Sequence, residues 1–164
     1  MAMRPMPQRA PEEFKDRVLD MRRVTRVVAG GKRFRFRATV AIGDMKGRVG
    51  VGIGKGLDVQ QAIAKAKSDA KKNLVLLDLK DGRTLYHEVI AKYSAARVLL
   101  KPAKEGHGLK AGGAVRVVLN LAGVKDATAK CVSRTPNKLT NALATMEALR
   151  RIKSKKTVSA EKAA

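Results

Sequence analysis

Three arginines alternate with apolar residues in one short stretch of this chain, and closely spaced cationic side chains can bind a polyanion. Arg33, Arg35 and Arg37 are separated by Phe34 and Phe36. Because successive side chains of a β-strand point to opposite faces, this period of two places the three arginines on one face. The stretch therefore predicts a strand with a basic face and an apolar face.

Glycines occupy every second position of the next predicted strand, which runs from residue 48 to residue 54. Glycine weakens a strand, so a regular row of glycines needs a reason. We predict that a large, flat polyanion approaches the backbone closely at Gly50, Gly52 and Gly54. The alternative is a solvated strand face beside a flexible hairpin, which residues 43–47 would form.

The charge of the whole chain also favours a polyanionic partner. Its 164 residues include 36 lysines and arginines against 14 acidic residues, which gives a net charge of +22. Such a charge repels itself in a compact monomer, whereas each nucleic-acid phosphate that it neutralises releases counterions. An anionic membrane surface is the alternative, but no stretch approaches 18 consecutive apolar residues. Aromatic residues make up 3% of the chain, which disfavours a platform for stacking single-stranded bases.

Residues that carry catalysis or hold metals are sparse. Cys131 is the single cysteine, which suits a reducing cytoplasm, and it is expected in the core. His87 and His107 are too far apart for a recognisable metal site. His107 is either a phosphate or base contact or a solvent-exposed loop residue. Neither Gly-Lys pair has the spacing of a phosphate-binding loop, and no acidic pair suits acid–base catalysis. We therefore expect no enzymatic activity, no cofactor and no metal.

The elements around the basic strand predict an antiparallel sheet backed by one helix. β-Branched residues indicate a strand over residues 18–29, followed by a turn at Gly30 and Gly31. After the glycine strand, Asp58 is a candidate N-cap for a helix that continues to about Leu76. The first unit is thus strand, strand, strand and helix.

The second predicted unit has the order strand, strand, helix, strand and helix. Its strands are expected over residues 84–92, 95–102 and 127–132. A glycine-rich loop precedes a helix that begins near Gly113 and stops at Gly123. The last helix is expected to begin at Thr135 and Pro136, with the proline in its first turn.

Three motifs in this order resemble the bacterial small-subunit ribosomal protein S5 family. The first comprises residues 23–27 and 30–36, RVTRV and GGKRFRF. The second and most specific is GDMKGRVGVGIGK at residues 43–55. The third comprises residues 102–108 and 111–116, PAKEGHG and AGGAVR. The resemblance covers roughly residues 14–152, with Ile53 at a position where the family commonly has an aromatic residue.

The resemblance implies an α+β fold of two domains. Residues 14–79 would form a double-stranded-RNA-binding-like domain, with an antiparallel sheet and one helix. Residues 84–152 would form a small α/β domain with the strand and helix order given above. We expect a disordered basic tail over residues 1–13 and a polar tail over residues 153–164.

The resemblance also implies a function. Family members are structural constituents of the small ribosomal subunit in the cytoplasm. They bind 16S ribosomal RNA and the neighbouring ribosomal proteins S4 and S8, and they lie near S3 on the messenger-RNA entry path. The family is linked to subunit assembly, decoding accuracy and spectinomycin sensitivity. The alternatives are a stand-alone RNA-binding regulator or chaperone and, less favoured without a phosphate loop, a phosphotransfer enzyme.

Three groups of residues are the candidate sites, and none of them is catalytic. The predicted RNA-binding residues are Arg22, Arg23, Arg26, Lys32, Arg33, Arg35, Arg37, Lys46, Arg48, Gly50, Gly52, Gly54 and Lys55. A second loop expected to contact RNA or protein contains Lys104, Glu105, Gly106, His107, Gly108, Lys110, Gly112 and Gly113. The loop that the resemblance associates with spectinomycin contains Val24, Thr25, Arg26, Val27, Val28, Ala29, Gly30 and Gly31. Strand alternation implies that some of Arg22, Arg23 and Arg26 point away from the RNA.

Overall fold

The computed structural model describes residues 14–152, so the tails expected over residues 1–13 and 153–164 lie outside the described residues. The first unit is a four-stranded antiparallel sheet with strand order β1-β2-β3-β4 and one helix. Its elements are β1 (Lys15–Val28), β2 (Gly31–Gly43), β3 (Arg48–Gly56), α1 (Val59–Lys72) and β4 (Leu74–Leu76).

The second unit is a four-stranded sheet with strand order β5-β6-β8-β7, and two helices. Its strands pair antiparallel except for β7 and β8, which are parallel. Its elements are β5 (Val89–Tyr93), β6 (Ala96–Pro102), β7 (Leu109–Lys110), α2 (Gly113–Leu121), β8 (Ala127–Cys131) and α3 (Lys138–Arg150). The predicted α+β class and the two-part layout are confirmed. The short strands β4 and β7 are additions that the predicted order of elements did not contain.

Helix α1 packs on one face of the first sheet through a stripe of alanines. Ala62, Ala66 and Ala70 recur every four residues and are fully buried. They form a cluster with Val40 and Ile42 of β2, on the same face of the sheet. Small side chains on the helix allow its backbone to approach the strands closely, which fixes where α1 lies.

The opposite face of the first sheet joins the second unit. Ala41 and Val51 belong to the same hydrophobic cluster as Val118 and Leu119 of α2 and Leu149 of α3. The two sheets therefore share a continuous core. Apolar burial of this kind is the dominant favourable contribution to folding, so each unit stabilises the other.

The hairpin between β2 and β3 reinforces this joint through its backbone. The backbone N–H groups of Met45 and Gly47 donate hydrogen bonds to the carbonyl oxygens of Leu121 and Ala122, each at 3.0 Å. Gly123 ends α2 as predicted, with a φ of +87°. A side chain at this position would also meet the carbonyl oxygen of Met45 at 2.3 Å.

Several element ends differ from the sequence prediction. The helix predicted to reach Leu76 ends at Lys72, because residues 74–76 instead pair with β3. Asp58 occupies the N-cap position of α1, but its side chain makes no capping hydrogen bond. Pro136 precedes α3 rather than lying in its first turn, and Asn137 caps that helix by accepting a hydrogen bond from the Leu139 N–H.

The strand predicted over residues 84–92 is also shorter than expected and covers only Val89–Tyr93. A tight turn precedes it, in which the backbone of Lys80 bridges to that of Thr84. Leu85 is buried just after this turn, so the apolar residues there fill the core without extending the sheet.

Candidate nucleic-acid interface

The register of the first sheet gathers the predicted basic residues on one face. Arg22 lies opposite Arg37 across β1 and β2, and Arg26 lies opposite Arg33. Directly opposite residues of an antiparallel pair project to the same face, and residues two apart along a strand share it. Lys55 of β3 continues the row beside Arg37. We call this surface the arginine face, and its members are Arg22, Arg26, Arg33, Arg35, Arg37 and Lys55.

The arginine face has little internal charge compensation. The Nε atom of Arg22 lies 2.7 Å from the Oδ2 atom of Asp20, an ion pair at the margin of the face. Within residues 14–152, the other five members of the face form no ion pair. Like charges directly opposite each other destabilise a sheet, so the pair Arg26 and Arg33 is unfavourable without an anion. The face is therefore suited to binding a polyanion.

Two of the predicted contacts point to the other face of the sheet. Arg23 lies opposite Phe36, and Lys32 lies opposite Val27, so both share the face on which α1 packs. The guanidinium carbon of Arg23 lies 4.4 Å from the centre of the Phe34 ring, a cation–π contact. The structure thus separates Arg23 and Lys32 from the arginine face.

Lys46 and Arg48 lie at the far end of the sheet, in the hairpin between β2 and β3. The carboxylate of Asp44 organises this hairpin by accepting hydrogen bonds from the backbone N–H groups of Lys46 and Arg48 and from the Arg48 Nε atom, the last at 2.6 Å. Burial opposes ionisation of Asp44, but these hydrogen bonds, led by that of the Arg48 side chain, hold its pKa below its usual value. The guanidinium of Arg48 also lies 5.0 Å from the centre of the Phe14 ring. Arg48 therefore stabilises the hairpin and does not join the arginine face.

The prediction that the glycine row admits a nucleic acid is wrong. Gly50, Gly52 and Gly54 are buried and face α1. A Cβ atom on Gly52 would lie 2.2 Å from the backbone nitrogen of Ala70, and one on Gly54 would lie 2.2 Å from the carbonyl oxygen of Ala62. The large group that approaches this strand closely is the protein's own helix.

The second predicted loop is anchored by a buried carboxylate that sequence reasoning missed. Asp126 is buried, and its Oδ1 atom accepts a hydrogen bond of 2.9 Å from the backbone N–H of Gly108. Its Oδ2 atom accepts a 3.1 Å bond from the Nε atom of Arg83. The Gly108 hydrogen bond is the largest cause of the lowered pKa of Asp126; burial opposes it, and Arg83 adds to it. Arg83 also pairs with Glu105, so Glu105 belongs to this internal network.

The remaining members of that loop have distinct roles. Gly106 and Gly108 have φ values of +80° and +74°, conformations that favour glycine. Gly112 is the N-cap residue of α2, and Gly113 is the first residue of that helix. The ring of His107 is exposed, and its Nε2 atom lies 3.3 Å from the Thr128 hydroxyl. The cations of this loop, Lys104 and Lys110, are exposed to solvent.

Residues 24–31 form the tip of the hairpin between β1 and β2. The predicted turn is present, with Val28 paired to Gly31 and Gly31 at a φ of +124°.

Within residues 14–152, no helix is both long and apolar enough to span a membrane. In the same residues, no three histidine, cysteine or acidic side chains are grouped in a way that could hold a metal ion. Cys131 is half-buried and packs against the shared core.

The fold and the site define a small basic α+β protein. Its first sheet is antiparallel, is backed by one helix and bears the arginine face, and its second sheet packs with two helices. Two family models match the chain: "Ribosomal protein S5, N-terminal domain" over residues 14–77 and "Ribosomal protein S5, C-terminal domain" over residues 91–162. The chain therefore belongs to the ribosomal protein S5 family, as its motifs predict.

Family membership gives the chain a structural role in translation. It is a protein of the small ribosomal subunit, part of a ribonucleoprotein whose partners are ribosomal RNA and other ribosomal proteins. The family is structural and not enzymatic. This role is consistent with the arginine face, on which Arg22 alone forms an ion pair within residues 14–152.

Proposed function

We propose that the chain binds 16S ribosomal RNA through the arginine face. The observation that carries this proposal is the register of β1, β2 and β3, which places five arginines and Lys55 on one surface. Structured RNA is recognised largely by its shape and by contacts to phosphates and 2′-hydroxyls. A sheet with rows of guanidinium groups can make such contacts, because arginine can donate two parallel hydrogen bonds to one phosphate.

The exposed loop of residues 104–113 is the second proposed contact. Lys104, His107 and Lys110 reach solvent there, while Asp126 and Arg83 fix the backbone beneath them. Membership of the S5 family supports placing this loop close to RNA and to the neighbouring protein S4. S8 is a proposed partner of the chain as a whole. A loop held by a buried carboxylate presents its cations in a defined position, which favours a specific contact.

Family membership supports the finer parts of the proposal. The protein would act in the cytoplasm of a bacterium, near S3 on the messenger-RNA entry path, and would support subunit assembly and decoding accuracy. The hairpin tip at residues 24–31 is the part proposed to affect spectinomycin sensitivity. This tip extends beyond the buried half of β2, so its side chains are available to an RNA neighbour.

Charge reversal on the arginine face tests the proposal. The double variant Arg26→Glu and Arg35→Glu should weaken binding to 16S ribosomal RNA by about tenfold or more near physiological salt. The slope of log affinity against log salt concentration should fall in magnitude by about 2, because two phosphates would no longer be neutralised. Filter binding of the full-length chain over a salt series measures both quantities.

The matched control is Lys71→Glu with Lys72→Glu on the exposed side of α1, which changes the net charge by the same amount. We expect a much smaller loss of affinity for this control. Equal losses for the two double variants would show that net charge alone governs binding. An unchanged affinity for the arginine-face variant would refute a role for that face.

A further inference from the structure

One face of the second sheet is open. Of the residues predicted to contact RNA, Lys110 of the edge strand β7 lies on it. Alternate residues of β5, β6 and β8 are buried in the shared core, among them Ala91, Val98 and Ala129. The intervening residues therefore project to the other side of the sheet. Ile90, on that side, is 58% exposed, so the described chain leaves this surface uncovered.

Cations occupy all four strands of this open face. Lys92 of β5 lies directly opposite Arg97 of β6. Lys130 of β8 lies opposite Leu99 of β6. At one end of the sheet, Thr128 has Lys101 of β6 on one side and Lys110 of β7 on the other. We call this surface the lysine face, and its members are Lys92, Arg97, Lys101, Lys110 and Lys130.

The charge of the lysine face is almost uncompensated. The Nζ atom of Lys101 lies 3.2 Å from the Oε2 atom of Glu88, the residue just before β5. In the part of the chain that the structure describes, the other four cations form no ion pair. The direct pairing of Lys92 with Arg97 places like charges opposite each other, which is unfavourable in the free protein. A bound polyanion would relieve this repulsion.

We propose that the lysine face is a second RNA-binding surface, which binds a stretch of phosphate backbone across β5, β6, β8 and β7. This inference rests on the proposed function, since it assigns a further surface to the same RNA-binding role. Lys110 belongs to both the lysine face and the proposed contact loop, and His107 reaches the face through Thr128. The loop and the sheet thus form one continuous basic surface.

The composition of the face favours RNA over an acidic protein. Between these cations lie Ile90 and Leu99, which face each other on the same side of the sheet, and the strands contribute no tryptophan or phenylalanine to that side. Protein interfaces depend on a fully buried core, commonly with aromatic anchors and with few charged residues at the centre. Here cations lie on every strand of the sheet, where they can contact successive phosphates of an RNA backbone that crosses it.

A second double variant tests the lysine face. Lys92→Glu with Lys130→Glu should weaken binding of the full-length chain to 16S ribosomal RNA by about tenfold or more near physiological salt. It should lower the magnitude of the salt slope by about 2. The Lys92→Glu change puts opposite charges on facing positions of β5 and β6, so the melting temperature should not fall. Lys71→Glu with Lys72→Glu again controls for net charge.

The two pairs of variants separate the two proposals. If the arginine-face variant loses affinity and the lysine-face variant matches the α1 control, the lysine-face inference is overturned and the proposed function stands. If the arginine-face variant loses no more affinity than the α1 control, the proposal that RNA binds through the arginine face is refuted, whatever the lysine-face variant shows. Loss of affinity in the lysine-face variant at an unchanged melting temperature supports the inference.

Crosslinking in assembled subunits identifies the partner directly. A photoreactive residue at position 130 should crosslink to RNA in small subunits reconstituted with the full-length chain. The same group at position 35 is the positive control for the arginine face. Crosslinks from position 130 to protein alone would overturn the inference in favour of an acidic protein partner.

Discussion

At the scale of single residues, Asp126 shows how one buried carboxylate fixes a surface loop. It accepts hydrogen bonds from Gly108 within the loop and from Arg83 in the turn before β5. Both interactions favour the ionised form, and the pKa of Asp126 is accordingly lowered. The conformation of the proposed contact loop should therefore depend on this charge.

We predict that Asp126→Asn lowers the stability of the protein at neutral pH. Because the pKa of Asp126 is lower in the folded state, its contribution is fully present above its unfolded pKa, near 3.8. That contribution is lost as the pH falls through the folded pKa. Urea midpoints should therefore be lower for the variant at pH 7, and the difference should shrink below about pH 4.

The control for this prediction is Asp81→Asn, at an exposed turn residue of the same charge. Its urea midpoint should stay close to that of the unmodified protein at both pH values. A deficit of Asp126→Asn that persisted unchanged at acid pH would contradict the assigned role of the charge.

At the scale of elements, the packing of β3 on α1 explains the glycine row. Glycines on the strand and alanines on the helix bring two backbones together. A Cβ atom on Gly52 would lie 2.4 Å from the carbonyl oxygen of Ala66, closer than any real contact. Since the obstructing atoms belong to the helix backbone, no side-chain rotation can relieve the clash.

Gly52→Ala should therefore destabilise the fold by about 3 kcal/mol or more, at the upper end of the usual cost of overpacking. Chemical denaturation measures the loss. Gly30→Ala is the matched control, because no atom lies within 4 Å of the added methyl group. Its stability should change by less than about 1 kcal/mol. A normally stable Gly52→Ala protein would disprove the tight packing of α1 on this strand.

Local pattern predicted much of the element order. The alternation of Arg33, Arg35 and Arg37 with Phe34 and Phe36 correctly predicted a strand with one basic face, because period two follows directly from strand geometry. The positive φ of Gly123 and the end of α2 also followed from local chemistry. Such features depend on neighbouring residues, so the sequence contains the whole signal.

Features that depend on distant residues were missed. A glycine row indicates that something approaches a strand closely, but the sequence does not say whether that is a ligand or a helix. Arg83 and Asp126 are 43 positions apart, so only the fold reveals their contact. Residues 74–76 continue the apolar pattern of α1, and pairing with β3 decides their structure. The strand register places Arg23 on the side of the sheet that faces α1, and the hydrogen bond to Asp44 holds Arg48 at the hairpin, so neither joins the arginine face.

At the scale of the whole molecule, the shared core couples the two units. Two separate family models describe the chain, yet Ala41 and Val51 of the first sheet lie in one cluster with Leu119 of the second unit. The hairpin at residues 43–47 adds backbone hydrogen bonds to the end of α2. Such a joint gives the arginine face and the lysine face a fixed relation, which suits a protein that contacts RNA at two surfaces.

This coupling predicts that the free protein unfolds in one transition. The chain has no tryptophan; of its two tyrosines, Tyr93 ends β5 of the second unit and Tyr86 lies in the segment that leads into that strand. Tyrosine fluorescence therefore reports on that unit, and a tryptophan introduced by Phe36→Trp reports on the first. The urea midpoints from the two probes should coincide, because unfolding of one unit exposes the shared core and so destabilises the other unit.

Gly123→Ala tests whether the hairpin joint contributes to this coupling. The added methyl group would clash with Met45, and the φ of +87° would be strained. We expect both midpoints to fall together, by an amount equivalent to at least about 1 kcal/mol. If the two midpoints differed in the protein that retains Gly123, the two units would fold independently. The relation between the two basic faces would then have to be fixed by the RNA itself.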